Sequence, residues 1–104
     1  MFGIKLQSEY VDLDKYTNDN KHIIYYKKNT WLPHNPYGRA YIGSDRYKEY
    51  HIEGKYHRLD GPAMIFPYGE EEYWINDKHL TKEQFEVHPE RLKFLGKGYL
   101  ACLG

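Results

Sequence analysis

The chain has 104 residues, which is room for one domain with one core and too little for two. Its 15 basic and 15 acidic residues cancel to a formal net charge of zero, which weighs against a general nucleic-acid binder and equally against an acidic mimic of DNA. No apolar run approaches the ~18 residues of a membrane span, MFGIKLQSEY lacks the basic start and apolar stretch of a secretory signal, and a lone Cys102 predicts a reducing, cytoplasmic setting.

Twelve tyrosines, four phenylalanines and two tryptophans bring the aromatic share to 17%. That is a strand composition and a poor one for a helix bundle. Along the chain, residues 1–34 read as leading strands and a loop. Gly3 to Gln7 is a candidate edge strand. Asp12 to Lys21 is polar and rich in turn residues, so a loop is expected there. His22 to Lys28 reads as a strand, with Asn29-Thr30 as its turn.

From Asn35 the chain repeats itself. Sliding it by 23 residues lays Gly38, Ala40, Ile42, Glu49, Tyr50, Ile52 and Lys55 over identical residues at Gly61, Ala63, Ile65, Glu72, Tyr73, Ile75 and Lys78. Residues 35–58 form the first unit and 59–80 the second, and His34 stands one period before His57. Each unit reads as a hairpin. Arg39–Ile42 and Pro62–Phe66 are the first strands, Gly43-Ser44-Asp45 and Pro67-Tyr68-Gly69 the turns, and Arg46–Ile52 and Glu70–Ile75 the return strands. Glu53-Gly54 and Asn76-Asp77 then supply the left-handed pair of a tight turn. Alternation puts Ala40, Ile42, Ala63 and Ile65 on one face and Tyr41, Met64 and Phe66 on the other. On the return strands Tyr50, Ile52, Tyr73 and Ile75 oppose His51 and Trp74. Both faces carry large apolar groups, so each is either covered or binds something.

Residues 81–104 change character. Thr81-Lys82-Glu83-Gln84 matches a capping box with Thr81 as N-cap. His88-Pro89 breaks that helix, and Pro89 opens a second one that Gly96 is expected to end. The apolar tail Tyr99–Leu103 is expected to dock. The predicted fold is mainly β: a single antiparallel meander of hairpins with one or two short C-terminal helices packed on it. Those helices are a natural cover for the aromatic set Tyr41, His51, Met64, Phe66 and Trp74.

The stretch YHIEGKYHRLDGPAMIFPYG, from Tyr50 to Gly69, resembles the MORN repeat at Tyr50, Gly54, His57, Gly61 and Gly69. HRLDGPAMI, from His57 to Ile65, resembles more closely a MORN-like variant found in bacteriophage, giant-virus and some bacterial proteins. That variant runs His-Arg-x-Asp-Gly-Pro-Ala and ends in Asn-Gly-Lys, which Asn76-Asp77-Lys78 matches except at Asp77. The first unit departs from it at Tyr37 and Arg39. The resemblance covers about residues 35–86 and implies a small phage accessory protein that binds and blocks a host defence or takeover factor. It implies no agreed chemistry. In the motif, Gly38 and Gly61 are expected at positive φ. Ala40 and Ala63 are expected where packing is close. Asp60 is expected to bond backbone amides, with Arg58 paired to Asp60 or stacked on a tyrosine.

Chemistry is hard to assemble from these residues. His51, His57 and His79 invite a metal, but Trp74 fills the slot of His51 one period on, and no ligand set completes a recognised spacing. Alternation splits Glu70-Glu71-Glu72 between faces. Asp60 and His57 belong to the repeat turn. Cys102 lies in an apolar tail, where a thiol stays protonated. The expectation is therefore no enzyme, no cofactor and no metal. Residues 35–58 carry five basic and three acidic groups and residues 59–80 one and five, which suits a charged partner or head-to-tail self-association. The aromatic surplus is the stronger pointer, to protein recognition. Trp74, Met64, Tyr41 and His51 form the first candidate surface, and the turn edge His57, Arg58 and Asp60 the second. A small nucleotide-like ligand, held by stacking, is the alternative.

Overall fold

The computed structural model describes the backbone of residues 4–6 and 8–103 and the side chains of residues 8–96. In chain order the strands are β1 (Ile4–Leu6), β2 (Leu13–Thr17), β3 (Ile23–Lys27), β4 (Tyr41–Ile42), β5 (Lys48–Glu49), β6 (His51–Ile52), β7 (Lys55–Tyr56), β8 (Met64–Ile65), β9 (Glu71–Ile75) and β10 (Lys78–Leu80). Two helices follow, α1 (Lys82–Glu86) and α2 (Pro89–Leu103). Every pairing is antiparallel, and the ladder runs β1-β2-β3-β4-β5-β8-β9-β10 with β6-β7 as a separate hairpin. The fold is the predicted meander with C-terminal helices.

The 23-residue period is written into the hydrogen bonds. His34 Nδ1 accepts the Glu53 N–H at 2.8 Å, and His57 Nδ1 accepts the Asn76 N–H at 3.0 Å. Asn35 N–H donates to His51 O at 3.0 Å, and Arg58 N–H to Trp74 O at 3.1 Å. The Asn35 side-chain amide donates to Arg39 O at 2.9 Å, and Arg58 Nη1 to Pro62 O at 3.0 Å. Each partner lies 23 residues from its counterpart, so the corner at 33–39 is built like the corner at 56–62. The tight turns also match: Glu53 and Gly54 have φ of 49° and 84°, and Asn76 and Asp77 51° and 67°.

One row of side chains explains the two alanines. Tyr25 N–H bonds Ala40 O and Tyr50 N–H bonds Ala63 O, each at 2.7 Å, and Leu80 faces Tyr73 across the last ladder. With the flanking registers Ile24–Tyr41, Tyr41–Glu49, Glu49–Met64 and Met64–Glu72, the row across the sheet reads Tyr25, Ala40, Tyr50, Ala63, Tyr73. Each alanine lies between two tyrosines and is fully buried. A larger side chain there would displace the rings.

Several expectations do not hold. Asp12–Lys21 contains β2, in which Leu13 and Asp14 are buried. The strand is disguised because Asp14 is satisfied inside, by the Asn29 N–H at 3.0 Å and by Lys28 Nζ at 3.1 Å. The return strand after the first turn is not continuous. Asp45 and Arg46 are left-handed, and Tyr50 separates β5, which pairs with β8, from β6, which pairs with β7. Gly38 and Gly61 are not at positive φ; among the described glycines that falls to Gly54 and Gly69. Finally, α2 runs past Gly96 to Leu103, because Gly96 keeps a helical φ and so terminates nothing. Gly3 and Gln7 lie outside the described residues, as do the side chains of the tail.

The helices begin where a third corner would stand. One period after His57 comes Leu80, which cannot accept a backbone N–H and instead joins Ile75 and Phe85 in the core, with Leu59 and Tyr73 against it. One period after Arg58 comes Thr81. Its Oγ1 accepts the Gln84 N–H at 3.0 Å while Gln84 Oε1 accepts the Thr81 N–H at 2.9 Å, the predicted capping box. Among the described residues, the helices therefore cover the Tyr73–Ile75 face and not the aromatic set opposite, where a cover was expected.

Candidate binding cleft at the second corner

The uncovered face holds four of the predicted residues. Tyr41 faces Glu49, Glu49 faces Met64 and Met64 faces Glu72, so the first candidate surface is continuous. Its centre is a ring column: His51 to Tyr56 at 4.4 Å, Tyr56 to Trp74 at 5.0 Å, Trp74 to His79 at 4.8 Å. The exchange of His51 for Trp74 between units has a simple cause. His51 Nε2 bonds Glu49 Oε1 at 2.7 Å, and Trp74 Nε1 donates to Glu72 Oε1 at 3.0 Å. Both rings bond the glutamate two residues before them. Burial raises the Glu49 carboxyl, but hydrogen bonds from His51 and Tyr47 outweigh it and hold the group below the ordinary glutamate value. His51 is buried, while Trp74, Met64 and Tyr41 are half-buried. These side chains spend much of their surface on one another.

His57, Arg58 and Asp60 line a concave site on the other face. It is a cleft of about 500 Å³ between the two corners and α2. Tyr37 flanks it from the first corner and Phe94 from α2, and they are 58% and 48% exposed. Tyr50 and Ile52 also line it. Arg58 is held on three sides: its guanidinium lies 4.0 Å over the Tyr50 ring, Nε donates to Asp60 Oδ1 at 2.8 Å, and Nη1 to Pro62 O. Both predicted roles of Arg58 are thus realised. Asp60 accepts from Arg58 where backbone amides were expected. Gly61 is glycine for space, since a Cβ there would stand 2.8 Å from Arg58 Cζ. His57 lends Nδ1 to Asn76, so its neutral ring carries the proton on Nε2. Burial holds both His57 and His34 below the ordinary histidine value.

The three tyrosines of the sheet row are covered differently. Tyr10 stands edge-on to Tyr25 at 5.5 Å, and Tyr37 stacks on Tyr10 at 4.9 Å. Phe85 packs on Tyr73 at 4.6 Å, and the Arg91 guanidinium lies 4.6 Å over Phe85. Tyr50 carries the Arg58 guanidinium, 4.0 Å over its ring.

Sequence reasoning found three residues of this cleft and missed Tyr37, Phe94 and Asn35. Tyr37 was visible as the place where the first unit departs from the Asp of the motif. Phe94 carries no local signal that would place it at the cleft. Among the described residues no three His, Cys, Asp or Glu side chains gather as a metal site, and no helix is long and apolar enough to cross a membrane. No family model, curated protein or solved structure matches the chain.

Proposed function

We propose that the chain is a non-enzymatic protein-interaction module that engages its partner through the cleft at the second corner. The observation that carries this reading is the pair Tyr37 and Phe94, two large, exposed rings at the sides of an approximately 500 Å³ hollow. Aromatic side chains around a concave surface are the usual anchors of protein interfaces, and truncating one typically costs ~2 kcal/mol or more. The MORN-like resemblance supplies the class: a small phage accessory protein that binds and blocks a host defence or takeover factor in the host cytoplasm. The aromatic face around Trp74 is the second surface. A nucleotide-like ligand is the alternative occupant of the cleft, favoured only by its volume.

Capture of a host protein by the immobilised chain tests this. Phe94→Ala and Tyr37→Ala are expected to weaken capture by about tenfold or more, and a chelator to change nothing. Capture that survives both substitutions but fails in Trp74→Ala moves the interface to the opposite face. Loss of capture on chelation overturns the reading in favour of a metal site.

A further inference from the structure

We infer that the chain pairs with a second copy of itself through the hairpin turns at 43–47 and 66–70, each copy's acidic turn set against the other's basic one. The inference is independent of the cleft, which lies at the corner end of the strands, opposite these turns. The two turns close with the same bond one period apart: Gly43 N–H donates to Tyr47 O and Phe66 N–H to Glu70 O, each at 2.8 Å. They also share a left-handed slot. Gly69 fills it at φ 93° in the second unit, and Arg46 fills it at φ 68° in the first. That conformation is disfavoured for a residue with a Cβ. The Arg46 side chain is exposed and makes no hydrogen bond or ion pair among the described residues, so no contact among them accounts for arginine in a glycine slot. A disfavoured backbone kept without an internal reward points to a use outside the fold. Beside the same slot in the second turn, Tyr68 is 94% exposed.

Charge and spacing select the occupant. The first turn carries Arg46 and Lys48 against Asp45, and the second carries Glu70 and Glu71 with no basic residue. Lys48, Glu70 and Glu71 form no ion pair among the described residues. Lys48 faces Ile65 and Ile65 faces Glu71, so the two turns stand two strand spacings apart, roughly 10 Å, on one edge of the molecule. A second copy rotated by half a turn about the sheet normal brings basic to acidic at both places at once. The contact is then self-complementary and closes at two copies. Each copy's Tyr68 comes within reach of the partner's Arg46, ring against guanidinium. The cleft and the helices stay clear, since they lie at the far end of the strands.

Analytical ultracentrifugation of the full chain over a wide range of concentration tests this. A monomer–dimer equilibrium that weakens as salt is added is expected, with no larger species. Arg46→Glu alone, and Glu70→Arg with Glu71→Arg, are each expected to raise the dissociation constant by about tenfold or more. An equimolar mixture of these two variants is expected to dimerise again, because each presents the charge that the other has lost. Arg46→Gly places in the first turn the residue that stands in the second. It is expected to raise the urea midpoint while weakening the dimer, which separates a role in association from a role in folding. A wild-type chain that stays monomeric, a dimer indifferent to salt and to these variants, or a mixture that remains monomeric overturns the inference. Growth into open-ended oligomers overturns the two-fold contact. A dimer lost in Phe94→Ala and kept in Arg46→Glu moves the contact to the cleft and overturns it as well.

Discussion

A Cβ on Gly61 would meet the Arg58 guanidinium at 2.8 Å, whereas one on Gly38 would meet nothing within 4 Å. Neither residue has a left-handed φ, so backbone freedom accounts for neither glycine. Arg58 cannot swing aside cheaply, since Tyr50, Asp60 and Pro62 O all hold it. Gly61→Ala is therefore expected to destabilise by about 1–3 kcal/mol, an overpacking cost. Gly38→Ala should be neutral or gain up to ~1 kcal/mol through a stiffer unfolded chain. Urea unfolding of the two variants checks the contrast, and equal effects would refute it. Histidine supplies a second residue-scale expectation. His34 and His57 accept a backbone N–H at Nδ1, and burial lowers both below the ordinary value of 6.5. A depressed folded value means that the unfolded chain takes up the proton first. Their contribution is complete above about pH 6.5 and is lost as pH falls through the folded values. Melting between pH 7.5 and 5.5 should show a fall that flattens in the double variant His34→Asn, His57→Asn, whose amide oxygens accept without titrating. An unchanged slope would assign the acid sensitivity to other groups.

At the scale of elements, α1 depends on its cap. Five residues are too few to be helical alone, so the helix exists because Thr81 and Gln84 bond each other's amides and Phe85 is buried. Thr81→Ala should cost about 1 kcal/mol, read as a lower urea midpoint with unchanged slope. A near-zero effect would mean that burial of Phe85 holds the helix unaided. This cap was legible because its signal is local, four consecutive residues. The hairpins were legible because the 23-residue period repeats them. β2 was not, since its pattern is broken by Asp14, whose partners Asn29 and Lys28 come from a distant turn. The pivot at Tyr50 was hidden for a similar reason: alternation runs straight through it, and only the switch of partners from β8 to β7 shows the bend. Half of the cleft was legible, the half inside the motif. Phe94 was not, because nothing in one helix states which corner it will lie against.

For the whole molecule, the corners make each unit nearly self-sufficient. Their bonds join residues no more than one period apart, from Asn35 to His51 and from Arg58 to Trp74, and the molecule is elongated, 44 × 32 × 20 Å. Stability in such an array is close to a sum over units and their neighbours. A unit should then be insertable. Duplicating residues 35–57 directly after His57 joins identical slots, since the new Asn35 occupies the place of Arg58. Its amide would serve the next Arg39 O as the original Asn35 does. The row would gain one tyrosine and one alanine, and α1 would still cap the last unit. The lengthened chain should unfold in one transition with a denaturant slope higher by roughly a fifth, because the slope scales with the surface exposed. The control is a duplication one residue shorter. It shifts the register by one and sends every following tyrosine to the opposite face, away from Arg58 and Phe85, so it should aggregate or lose cooperative unfolding. If both insertions fold equally well, the corner bonds do not define the unit; if neither folds, the leading strands and the helices hold the two units as a single indivisible core.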